Sequence, residues 1–159
     1  MKIIHIVGRT KSGKTTLIVD LVRELTDRGR RVGTLKHSGH AHELDRPGKD
    51  SWKHRQAGSI PAAVTTTDQM AVFLPRQPDE NPFERLAALF STCDVVLVEG
   101  YIEGPGVKLE VWRAVREVPP ICAERSGLAA VITDDPIQTD LPVWPRSDVK
   151  GLADKILAL

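Results

Sequence analysis

Cysteine is nearly absent from this chain. Only Cys93 and Cys122 occur, and they form no C-x-x-C pair, so a disulfide framework and a cysteine-built zinc site are both excluded and a reducing compartment suits the chain. An excess of charge of one sign is missing too. With 22 basic and 21 acidic residues the net charge is +1, and no global field draws nucleic acid or a membrane surface. No apolar run approaches the roughly 18 residues of a membrane span. The N-terminus enters its first apolar run directly, with no charged leader or cleavage site ahead of it. A cytoplasmic protein with neither nucleic acid nor membrane as partner is expected. There is no internal repeat and no low-complexity tract. Asparagine occurs once, at Asn81, so the guanine-reading pattern N-K-x-D is missing. The 159 residues, 41% of them hydrophobic, suffice for one domain spanning 1–159 with a substantial core.

Against these absences one motif stands out. Gly8-Arg9-Thr10-Lys11-Ser12-Gly13-Lys14-Thr15 fits G-x-x-x-x-G-K-[ST], the phosphate-binding loop pattern. Ile3, Ile4, Ile6 and Val7 precede it as a short buried strand. Leu17, Ile18, Leu21, Val22 and Leu25 follow at helical spacing, with Asp20, Arg23, Glu24 and Asp27 on the opposite face. Glycines let the backbone wrap a polyphosphate with its N–H groups pointing inward, and the helix N-terminus adds its positive end. Lys14 then reaches the outer phosphates, and Thr15 offers its hydroxyl to Mg²⁺. A nucleoside polyphosphate is the expected ligand.

The rest of the chain alternates strand and helix. Gly29 is placed to end the first helix. Strands are expected at 31–35, 94–98, 128–132 and 141–144, and Lys108–Trp112 alternates as a further strand or a sheet edge. The runs 60–66 and 70–74 form a hairpin. Helices are expected over 50–57, with Asp50 or Ser51 as N-cap, and over 83–90, with Leu86, Leu89 and Phe90 inward. Ser147 caps a last helix. Pro75–Pro82 is a loop. The sum is a three-layer α/β sandwich with a mostly parallel sheet and a hairpin extension.

In such sheets ligands gather where the strands end. Glu99 closes the 94–98 run while Asp94 opens it, so Glu99 is the second acidic group near Mg²⁺ beside Thr15, and Gly100 allows close approach to a γ-phosphate. The loop 36–51 is dense in ionisable groups. Asp45 and Asp50 are candidates for approaching Mg²⁺ or orienting an attacking water, Asp50 also for the N-cap, and Lys49 for a phosphate contact. His37, His40 and His42 suit a transition metal by ligand type alone. Asp134 and Asp135 follow the 128–132 strand. A carboxylate there accepts from guanine N1 and N2, a donor pair adenine lacks; Asp135-Pro136 equally reads as a turn. Exposed apolar positions in the hairpin region make it the candidate dimer contact.

Together these segments resemble the molybdopterin-guanine dinucleotide biosynthesis protein B family. The resemblance rests on Gly8–Leu17, T-L-K-H at 34–37, D-R-P-G-K-D-S-W at 45–52 with Ala57-Gly58, V-L-V-E-G-Y at 96–101 and K-L-E-V-W-R at 108–113. It implies GTP as ligand, weak GTPase activity, a dimer built through an extended sheet, and an adapter role beside the guanylyltransferase that joins GMP to molybdopterin. It also implies that Gly8 to Thr16 hold the triphosphate, that Glu99 lies near Mg²⁺, and that Asp45 and Asp50 sit on a mobile loop above it. Arg9 and Lys11 depart from the small residues often found in such loops. Two other readings use the same motif. A small-molecule kinase would need lid arginines, for which Arg76, Arg113 and Arg116 are the candidates; a metal-insertion GTPase would use the His37–His42 loop.

Overall fold

The computed structural model describes residues 1–77, 80–114 and 118–159. The chain divides into two compact units, residues 1–38 with 87–159, and residues 39–86.

In the first unit, strands β1 (Lys2–Val7), β2 (Val32–Lys36), β5 (Val95–Glu99), β6 (Val107–Val111), β7 (Ala130–Ile132) and β8 (Val143–Trp144) form one sheet in the order β2-β5-β1-β6-β7-β8. Every pairing is parallel. Helix α1 (Lys14–Asp27) lays Leu17, Ile18, Leu21 and Leu25 on one face of the sheet, and α4 (Val149–Ala158) adds Leu152, Ala153 and Ile156. They meet Ile4 and Ile6 of β1, Val95 and Leu97 of β5, Leu109 and Val111 of β6 and Ile132 of β7. Helix α1 ends as its sequence asks: Arg30 N–H donates to Leu25 O at 3.0 Å and Gly29 N–H to Thr26 O at 2.8 Å, the paired bonds of a Schellman end.

The opposite face carries two fully buried polar side chains, His5 and Glu110, and each ties down a loop. The Glu110 carboxylate accepts from Ile121 N (2.5 Å) and Cys122 N (2.9 Å). His5 Nε2 donates to the carbonyl of Pro105, with Gly100 O 3.4 Å from its other ring nitrogen. Burial pulls the His5 pKa below its ordinary 6.5, and the facing carbonyls only partly oppose this. The unfolded chain therefore takes up a proton before the folded one does as pH falls. The His5 contribution is complete above pH 6.5 and declines below it. Replacing His5 by asparagine is expected to flatten the acid side of the melting-temperature profile between about pH 6.5 and 5; an unchanged slope would contradict this.

The second unit contains α2 (Asp50–Gln56) and the antiparallel pair β3 (Ala62–Thr65) and β4 (Met70–Phe73). Helix α3 (Pro82–Phe90) begins in this unit and ends in the first.

Of the two readings of Lys108–Trp112, the strand holds and the sheet edge does not: β6 pairs with β1 on one side and β7 on the other. Three local expectations need correction. The α2 N-cap is Lys49, with Asp50 inside the first turn, where its charge favours the helix dipole. The α4 N-cap is Asp148, whose carboxylate accepts from Gly151 N at 2.9 Å, while Ser147 is engaged elsewhere. In α3 the inward stripe starts at buried Phe83 and continues through Leu86 and Phe90, leaving Leu89 off its side and 74% exposed.

Candidate nucleotide-binding site

Strand β1 runs out at Val7 and the chain turns at once around Gly8, at φ +149°. A Cβ on Gly8 would lie 2.4 Å from the carbonyl oxygen of Val111 at the end of β6, so the loop crosses the sheet end at a height only glycine allows. Gly13, at φ +95°, is the N-cap of α1, and Leu17 N–H already donates to its carbonyl at 3.0 Å. The first-turn N–H groups of α1 are thereby left for a ligand.

The Lys14 ammonium curls back into the loop, donating to Gly8 O (2.9 Å) and Arg9 O (2.8 Å). Burial lowers its pKa, Glu99 partly opposes this, and the charge of Lys36 adds to it. Ser12 is buried and its hydroxyl has no hydrogen-bond partner among the described residues. Arg9 is held by Glu124 at 2.6 Å, while Thr10 and Lys11 are exposed.

Three strands end level at this loop. Glu99 is in register with Ile6 of β1 and Lys36 of β2, and His37 N–H locks onto Glu99 O at 3.0 Å. Gly100 N–H donates to Ile6 O at 3.0 Å. Thr15 Oγ1 donates to Glu99 Oε1 at 2.8 Å, and Lys36 Nζ lies 3.1 Å from the same oxygen. Two oxygens at this spacing match one edge of an octahedron with bonds of about 2.1 Å, the shape Mg²⁺ demands. The donor set fits a hard cation that keeps most of its water.

On the other side of the loop lies a cavity of about 340 Å³ bounded by Ser12, Gly13, Thr16, Trp112, Arg113, Asp134, Asp135, Arg146 and Ser147. Asp134 Oδ1 accepts from Ser147 N (2.9 Å) and Oγ (3.0 Å); the backbone bond from Ser147 chiefly holds its pKa below the usual carboxylate range. Asp135 Oδ2 accepts from Ala114 N at 2.8 Å. One oxygen of each carboxylate therefore anchors a neighbouring loop.

The second unit holds the remaining candidates. Asp45 is buried there, its Oδ1 accepting from Ser51 Oγ (3.0 Å) and Arg46 N (2.8 Å), with Arg55 3.5 Å from Oδ2. This network ties the loop to α2. The Asp50 side chain is 90% exposed, 3.5 Å from Lys53, and Lys49 is exposed at the head of the helix. His37 stacks on Tyr101, ring centroids 4.5 Å apart, while His40 and His42 meet edge to face at 6.4 Å. Among the described residues no three His, Cys, Asp or Glu side chains gather where they could hold a metal. Arg113 borders the cavity and Arg76 lies in the second unit; Arg116 falls outside the described residues.

Sequence reasoning passed over Lys36, Trp112, Arg146 and Ser147 as members of the site. Lys36 reads locally as the first residue of the 36–51 loop; the structure makes it the last residue of β2, and only the β2–β5 register brings it to Glu99. Arg146 and Ser147 arrive from beyond β8, a contact between distant segments that no local pattern announces.

Known proteins carry the same arrangement. Residues 3–134 match the family described as molybdopterin guanine dinucleotide synthesis protein B. The chain is 34% identical to the molybdopterin-guanine dinucleotide biosynthesis adapter protein of Escherichia coli, over 92% of this chain and 86% of that one. It is 32% identical to the adapter protein of that name from Haemophilus influenzae, over 97% and 86%. Among solved structures, MobB of Bacillus subtilis superposes with a TM-score of 0.77 at 25% identity, covering 99% of this chain and 97% of that one. A second solved molybdopterin-guanine biosynthesis protein B gives 0.76 at 26%, over 98% of each chain. A six-stranded parallel sheet, a phosphate-binding loop at its carboxyl ends and these likenesses together make the chain a member of the molybdopterin guanine dinucleotide synthesis protein B family.

Proposed function

We propose that this protein binds GTP with Mg²⁺ and serves as a cytoplasmic adapter in molybdopterin guanine dinucleotide synthesis, assisting the guanylyltransferase. The observation that carries this reading is Thr15 and Glu99 sharing a 2.8 Å hydrogen bond at the head of the loop that contains Lys14. The loop N–H groups from Gly8 to Thr16 cradle the triphosphate. Lys14 leaves the two carbonyls it now caps and turns to the outer phosphates, a geometry already within reach of its flexible stem. Thr15 and Glu99 would hold the cation, which would supply positive charge against the phosphates. Gly100 admits the γ-phosphate against the backbone. The carboxylates of Asp134 and Asp135 accept from the N1–H and N2–H of guanine, with Arg113 and Arg146 beside them. The whole of 1–159 then acts as one nucleotide-binding domain.

Hydrolysis is slow on this reading. Asp45 is committed to Ser51 and Arg46, and Asp50 is an exposed carboxylate beside Lys53; neither is positioned as a base on this reading. The purified protein is expected to turn over GTP far below the ordinary enzymatic rate of ~10 s⁻¹; turnover near that value would sink the adapter reading. The direct test is synthesis of the dinucleotide by the guanylyltransferase at limiting GTP, with and without this protein. A rise in rate that Lys14→Ala abolishes supports it. No rise, with phosphate transferred instead to a small-molecule acceptor, would establish the kinase reading.

The proposed dimer rests on the β3–β4 hairpin. Phe73 lies under the Arg55 guanidinium, 5.2 Å from its centroid, whereas Met70 and Val72 on the alternate side are 71% and 50% exposed. Such an apolar strand face calls for a partner. Light scattering is expected to give twice the chain mass, falling to the monomer in Met70→Glu/Val72→Glu. A wild-type mass of one chain at all concentrations would contradict it.

A further inference from the structure

We propose that Lys36 is a second γ-phosphate-binding cation, the residue by which the site distinguishes a nucleoside triphosphate from a diphosphate. The inference rests on the nucleotide reading above and assigns a role to a side chain outside the phosphate-loop motif.

Lys36 is the last residue of the edge strand β2, in register with Glu99. The bond from His37 N–H to Glu99 O fixes that register at the strand end. Its ammonium stands 3.1 Å from Glu99 Oε1, the oxygen that also receives the Thr15 hydroxyl. A positive charge thus already rests beside the two groups that fit Mg²⁺. Lys36 is also near enough to Lys14 for its charge to be felt there. Two ammonium groups are thus felt around one carboxylate, Lys36 in direct contact with it and Lys14 within reach of its charge.

Freedom to move completes the case. The Lys36 side chain is 68% exposed. It borders a cleft of about 440 Å³ that also reaches Thr15 and Glu99, so no packed neighbour holds it. When Glu99 is engaged with the metal, Lys36 loses its partner and is repelled by the like charge next to it. The nearest anion it can then reach is the outermost phosphate, placed between Thr15 and Lys14. With a diphosphate that anion is missing, and Lys36, whether or not the metal takes Glu99, gains no phosphate partner. A residue that only bridged β2 to β5 would be indifferent to the third phosphate.

The test is calorimetric binding of Mg·GTP and Mg·GDP to the wild type, Lys36→Ala and Lys36→Arg, with melting temperatures to confirm folding. Lys36→Ala is expected to weaken GTP binding roughly tenfold while GDP stays within about twofold, and Lys36→Arg to recover most of the loss. Equal loss for both nucleotides, loss for GDP alone, or no change for either would overturn the assignment while leaving the nucleotide site standing. A wild-type protein that binds neither nucleotide would overturn both together.

Discussion

Lys14→Ala is expected to lower the affinity for Mg·GTP by two to three orders of magnitude while leaving the fold intact. In the structure the Lys14 ammonium spends its protons on the carbonyls of Gly8 and Arg9. Those bonds are a resting arrangement, made between neutral acceptors and a charge whose pKa burial has pulled down. Exchange for phosphate oxygens replaces them with bonds between opposite charges, of about 1.5–3 kcal/mol each. Loss of two such bonds at the lower end of that range is about 3–4 kcal/mol, or a factor of several hundred. The melting temperature should move by no more than about 2 °C, because no core contact is removed. Calorimetry on both proteins checks the result; a difference under threefold would mean that the loop does not hold a triphosphate through this lysine.

The second large effect is on stability. Glu110→Ala is expected to cost about 3–4 kcal/mol, seen as a fall of about 10 °C in melting temperature. Glu110 is fully buried and gives one carboxylate oxygen to each of two consecutive backbone N–H groups, Ile121 and Cys122. Alanine would orphan both donors and leave a void where the carboxylate was. Glu110→Gln keeps the shape and one acceptor, so roughly half the loss should return. Thermal melts within 2 °C for all three proteins would show that the Ile121–Ala123 turn is not held this way.

How legible was this molecule in its sequence? The sheet and its loop were, because their signals are local: apolar runs for strands buried on both faces, a 3.6-residue stripe for α1, and glycines at fixed spacing around Lys14. The hairpin was too, as two β-rich runs around Thr67 and Gln69. What local pattern could not supply was pairing partners. Lys108–Trp112 alternates charged and apolar residues as a half-solvated edge strand would. It lies instead inside the sheet, because the Glu110 carboxylate is met by backbone N–H groups eleven and twelve residues on. Ser147 and Asp148 are both good caps, and the choice between them was made by Asp134, which takes Ser147 for itself. Leu89 differs from Leu86 only in azimuth. In the site, Thr15 and Glu99 were each nameable from motif and strand end, and the structure brings them together. Lys36 was not, since its place follows from a register between strands sixty residues apart.

The central claim is that the loop and the cavity beside Asp134 and Asp135 together take a guanine nucleotide. Its most direct test is equilibrium binding of Mg·GTP and Mg·ATP to the purified chain, with Lys14→Ala as control. A preference for GTP of at least about tenfold, the size of one discriminating hydrogen-bond pair, with both nucleotides lost in the variant, is the expected result. Equal or tighter binding of ATP would contradict it.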